Sequence, residues 1–192
     1  MNKRYLALAG LAAGAILLGG CAAGTALPPA APPATSQGTV PIPAAKENAP
    51  QPPQAAAMVC SAEAKDNVTK ILGLKSPPRT TLSWNGTIYS CNYSLPSGSL
   101  TMSVHVYSAG PAAQAGARSL AKSLNATPIR GLSNLGLPGY QSDAGTVVFA
   151  KDNMTLHVDA TMMSGTVGFN RVPRTDFAYQ MATTILACWS EH

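Results

Sequence analysis

The chain has 192 residues, of which 46% are apolar and only 11% charged, with a formal net charge of +5 at pH 7. That balance excludes a highly charged disordered chain. Basic residues are scattered from Lys65 to Arg174 without clusters or interleaved aromatics, so no nucleic-acid partner is expected, because that contact needs positive charge on one face. Nine of the 16 prolines fall between Cys21 and Val59 and the longest apolar run precedes Cys21, which leaves about 135 residues for one domain with a sizeable core.

Residues 1–20 open with Lys3 and Arg4, continue through an apolar stretch from Tyr5 to Leu18, and end in Gly19-Gly20 before Cys21. The stretch is shorter than the roughly 20 apolar residues of a spanning helix and reads as an export signal peptide. Its end, Leu18-Gly19-Gly20-Cys21, resembles the lipobox of bacterial lipoproteins. The resemblance implies cleavage before Cys21, acylation of its sulfur by membrane lipid, and retention on the outer face of the bacterial cell membrane. Each buried methylene contributes about 0.8 kcal/mol, so two or three acyl chains anchor stably. From residue 21 to 57 the sequence is rich in Ala and Pro, too poor in large aliphatics to offset the entropy of ordering. It is expected to be a disordered tether, with the globular domain running from 58 to 192.

Within that domain, Ser61 to Leu72 has apolar residues at 64, 68, 71 and 72, a Ser cap and a terminating Gly73, which predicts a helix. Arg79–Trp84 and Thr87–Tyr93 flank Asn85-Gly86 and predict a hairpin whose central residues have positive φ. Leu100, Met102, Val104 and Val106 alternate with Thr101, Ser103, His105 and Tyr107, giving a third strand with one buried face. Pro111 opens a second helix to about Leu124, with Ala113, Ala117, Leu120, Ala121 and Leu124 on one side. Residues 129–140, rich in Gly, Pro and Leu, show no clear period and read as a loop, a short strand within it being the alternative. Thr146–Ala150 and Met154–Thr161 predict a second hairpin, and Arg174–Trp189 a closing helix. The order α-β-β-β-α-β-β-α predicts a single α+β domain, an antiparallel sheet of about five strands packed by about three helices.

Three short motifs, Val59-Cys60-Ser61 before a helix, Cys91-Asn92-Tyr93 at the end of a strand and Ala187-Cys188-Trp189 at the end of the last helix, give the domain a resemblance. It resembles a small cysteine-containing domain of unknown function found in secreted and lipid-anchored actinobacterial proteins, mycobacterial lipoproteins among them. The resemblance implies location and fold, and carries over no catalytic residue.

With Cys21 assigned to lipid, Cys60, Cys91 and Cys188 remain in an oxidising compartment. Cys60 with Cys91 is the favoured disulfide, since closing that loop contributes about 3 to 4 kcal/mol in the chain-entropy model. A bridge using Cys188, or none, stays open. His105 and His157 fall on the polar faces of predicted strands, His157 beside Asp159, and would converge on a metal only if their strands were neighbours. Ser119-Leu-Ala-Lys122 fits a Ser-x-x-Lys pattern without the Ser-Asp-Asn and Lys-Thr-Gly elements that acyl-transfer enzymes add. No cofactor is expected.

Between the last strand and the last helix, Met162, Met163, Val167 and Phe169 lie among glycines. Together with Leu132, Leu135 and Leu137 they form a candidate wall for an apolar ligand, the alternative being that the loop folds over the sheet and completes the core. One of the two adjacent methionines should leave the core face of an extended chain. The functional expectation is a non-catalytic, lipid-anchored envelope protein that binds an apolar ligand, a wall component or another envelope protein. A small hydrolase with an unrecognised site, or a surface lipoprotein without a ligand, are the other readings.

Overall fold

The computed structural model describes residues 50–130 and 137–189. The expected signal peptide, Cys21 and most of the Pro-rich stretch therefore lie outside the described residues, as do Leu132 and Leu135. Two meanders form one seven-stranded sheet in the order β1-β2-β3-β7-β6-β5-β4. The first is β1 (Arg79–Trp84), β2 (Ile88–Leu95) and β3 (Gly98–Val106); the second is β4 (Thr127–Pro128), β5 (Gly139–Ser142), β6 (Thr146–Lys151) and β7 (Met154–Asp159). Every pairing is antiparallel, and the meanders meet where β3 pairs with β7. A ribbon of β8 (Thr166–Val167) and β9 (Val172–Pro173) stands apart from the sheet.

The α+β class and the antiparallel sheet agree with the sequence reading; the strand count does not. The sheet has seven strands rather than about five, because β4 and β5 arise from the 127–142 region, where strands of two and four residues among Gly and Pro are too short to show a period. The second hairpin's later strand, β7, also ends earlier than the alternation through Thr161 suggests. Asp159 stops it: its carboxylate accepts from the Thr161 N–H at 2.9 Å and hydroxyl at 2.6 Å, a local turn that competes with the ladder. In the first hairpin the turn is centred on Gly86 and Thr87, since the Asn85 N–H donates to the Ile88 carbonyl. Only Gly86 has positive φ, at 97°, the first central position that a type II′ turn requires. Asn85 instead flanks the turn, where its Oδ1 accepts from the N–H groups of Thr87 and Ile88.

Alternation divides the sheet into two faces. Tyr89, Cys91 and Tyr93 of β2, Leu100, Met102 and Val104 of β3, Val147 and Phe149 of β6, and Leu156 and Val158 of β7 point to one side and are buried. There they meet α2 (Ala62–Leu72) and α4 (Arg174–Trp189), which contribute Val68, Leu72, Phe177, Met181 and Ile185 to the same core. Helix α2 has the expected caps: the Ser61 hydroxyl accepts from the Ala64 N–H at 3.1 Å, and Gly73 adopts φ 65°. The Cys60–Cys91 disulfide ties the start of α2 to β2, and Cys188 is a buried thiol on α4. Lys151 donates to the Trp189 carbonyl at 2.6 Å, placing a cation at the negative end of α4.

On the other face, α3 (Gly110–Ser123) covers β6 and β7 through Ala113, Ala117 and Ala121. Those small side chains let the helix lie close to Val148 and Ala150, and the Thr155 hydroxyl donates to the Ala113 carbonyl at 2.9 Å. The packed body also begins earlier than residue 58. Residues Gln54–Ala57 form a helical turn, α1, with Ala56 fully buried, so the end of the tether belongs to the core.

Candidate functional site

Because β3 and β7 are neighbours, two histidines that the sequence leaves unconnected come to one place. The register sets His105 opposite Thr155 and Ser103 opposite His157, a diagonal pair on the polar face within reach of one another's surroundings. Helix α3 stops short of covering this part of the sheet. A crevice of about 470 Å³ results, floored by Ser103, His105, Thr155 and His157 and walled by Gly116, Ser119, Leu120 and Ser123 of α3. Ile88 and Tyr107 complete it. The volume is within the range of about 300–1,000 Å³ usual for small-molecule sites.

Tyr107 lies against His105 with ring centroids 4.0 Å apart and planes 32° from parallel. Its backbone is fixed by the second hairpin: the Tyr107 N–H donates to the Asn153 carbonyl, and the Asn153 amide donates to the Tyr107 carbonyl, both at 2.8 Å. Its hydroxyl end lies over Gly116, where a Cβ would run into the phenol. A glycine in mid-helix costs about 1 kcal/mol relative to Ala; here it makes room for the ring.

His157 is largely buried, and its Nε2 has no hydrogen-bond partner. Burial lowers its pKa below the ordinary 6.5, with Asp159 opposing the shift, so at neutral pH the imidazole is uncharged. None of the lining residues is Asp, Glu, Lys or Arg. The site is thus without carboxylates, ammonium or guanidinium groups, with several hydroxyls around it and two stacked rings at one side. A buried polar atom without a partner costs about 1–3 kcal/mol, and His157 carries that cost in this structure.

Metal binding at the histidines does not follow from their proximity: among the described residues no three His, Cys, Asp or Glu side chains gather to hold an ion. Asp159 is turned to Thr161 instead. Ser119 lines the crevice while Lys122, one turn on, is exposed.

The methionine loop is placed differently from the crevice. Met163 and Val167 are 3% and 2% exposed and belong to the main core, whereas Met162 and Phe169 are 75% and 86% exposed. Adjacent methionines do part to opposite sides, but one completes the core. Arg174 pins the loop by donating to the carbonyls of Thr161 and Met163 at 3.1 and 3.0 Å. Leu137 is half-buried.

The sequence signal for the crevice lay in the alternation that puts Ser103 and His105, and Thr155 and His157, on the polar faces of their strands. What it lacked was the pairing of those strands. Comparison with protein-family models, with curated proteins and with solved structures finds no match.

Proposed function

We propose that the chain is a lipid-anchored, non-catalytic binding protein of the bacterial cell envelope, and that its ligand occupies the crevice between α3 and the β3–β7 junction. The observation that carries the reading is a ligand-sized crevice without an Asp, Glu, Lys or Arg in its lining, walled by hydroxyls and by the His105–Tyr107 ring pair. The Leu18-Gly19-Gly20-Cys21 box supplies the anchor through acylation of Cys21, and the Pro-rich segment supplies reach, about 3.1 Å per residue where it is extended. No exposed cation or carboxylate lines the crevice, so binding rests on shape, hydroxyls and rings.

The test is native mass spectrometry of the full chain extracted from its own envelope, beside a His157→Leu variant. A small molecule retained by the parent and absent from the variant, with melting temperature not lowered, supports the reading. A parent that carries no molecule and gains none from an envelope extract removes it.

Ser119 in the same crevice as two histidines favours a second reading, a small hydrolase. Catalysis there needs a base hydrogen-bonded to the serine and a group that orients the base, and His157 Nε2 makes no such bond. Labelling of Ser119 by a fluorophosphonate would establish that reading in place of the first.

A further inference from the structure

The crevice opens onto a face of the sheet with its own pattern. The register aligns Ser83 of β1, Ser90 of β2 and Ser103 of β3 in one row that ends at His157 of β7. Ser83 is exposed, and Ser90 and Ser103 are partly so. The serines therefore form a ladder across the strands, advancing about 4.8 Å at each step, from the free edge of the sheet to the mouth of the crevice. That step is close to the length one pyranose unit adds to an extended glycan.

We infer that the crevice and the serine ladder form one site for a neutral saccharide chain, its end ring seated beside the His105–Tyr107 stack and its following rings crossing Ser103, Ser90 and Ser83. The inference rests on the binding role proposed above and names the class of ligand. An acyl chain would strip water from Ser103, Ser119 and Ser123 without replacing it, which is unfavourable. An anionic ligand would find no cation in the lining. A sugar ring has an apolar face for the rings, and each of its hydroxyls both donates and accepts, so it satisfies the serines in either orientation.

The experiment uses the full chain in lauryldimethylamine-oxide micelles, a detergent without sugar, and calorimetric titration with the di- and hexasaccharides of glucan, mannan, galactan, arabinan and N-acetylglucosamine chains. The His157 imidazole resonances, read in parallel, move with any occupant of the crevice. The expected result is that one series binds and shifts them, with the hexamer about fivefold or more tighter than the dimer, as added hydrogen bonds along the ladder imply. Ser90→Lys, a change on a solvent-facing row, should remove the hexamer's advantage, costing the hexamer more than the dimer. Gly116→Ala, which displaces Tyr107, should weaken both by about tenfold through loss of the ring contact. Equal affinity of dimer and hexamer, or no saccharide binding while an envelope extract still shifts His157, overturns the saccharide inference and leaves the crevice as a binding site. If neither saccharides nor extract move His157, both fail.

Discussion

The Trp189 indole N–H donates to the Ala55 carbonyl at 2.8 Å, across 134 residues of chain. A second indole, Trp84 on the edge strand, does the same for the Pro50 carbonyl at 2.6 Å. The end of the Pro-rich segment is thus fastened to the last helix and to the first strand. Limited proteolysis should leave a resistant fragment that starts near Pro50 and not near Val59, as mass measurement of its N-terminus will show. Trp189→Ala should move the cut into residues 54–60 and cost about 3–5 kcal/mol of stability, the usual loss for a buried tryptophan.

The two neighbouring methionines should respond oppositely to charge. Met163→Glu places a carboxylate in the main core, and the protein should lose several kcal/mol of stability or fail to fold. Met162→Glu, on an exposed side chain, should stay within about 0.5 kcal/mol of the parent. Urea denaturation of both variants measures the contrast, and similar midpoints would refute the placement of the loop.

Burial holds His157 below its ordinary pKa of 6.5, so the unfolded chain binds a proton that the folded chain refuses. Stability from this group is present in full above the unfolded value and is lost as the pH falls through the folded one. The free energy of unfolding should therefore drop as the pH falls below the ordinary 6.5, and the drop should be smaller in His157→Leu. A variant with the parent's pH slope would show that the dependence comes from elsewhere.

Cys60 and Cys91 close a loop of sequence separation 31. Replacing both by Ser should cost about 3–4 kcal/mol by the chain-entropy relation, and non-reducing peptide maps should recover this bridge and none involving Cys188.

Anchoring offers a test of the proposed location. Cys21→Ala should release the chain from the membrane fraction, since no helix among the described residues is long and apolar enough to span a bilayer. Persistence of the variant in that fraction, with the signal segment removed, would exclude the acyl anchor.

The helices were the most legible part of the sequence because their signals are local. Ser61 and Gly73 bracket α2 with a hydroxyl cap and a left-handed residue, and Arg174–Trp189 matched at both ends. Strands β4 and β5 were illegible because their pairing, Thr127 with Gln141 and Pro128 with Tyr140, bridges a connection with no period of its own. The crevice stood between these cases. Alternation assigned His105 and His157 each to a polar face, yet the register that sets them diagonally is a property of two strands separated by α3, β4, β5 and β6. Tyr107 and Gly116 escaped notice for a similar reason, since a mid-helix glycine has no meaning until the phenol lying over it is seen.

The junction of the two meanders also bears on when the site comes into being. Each meander is built from neighbouring strands, and such local contacts form early, whereas closing the long connection between β3 and β7 is entropically costly and slows folding. The crevice spans that closure, with Ser103 and His105 on one side and Thr155 and His157 on the other. A newly made, unfolded chain therefore carries no complete site until its two halves have docked. An occupant of the crevice would act as a clasp on that closure, slowing its reopening more than it hastens its formation.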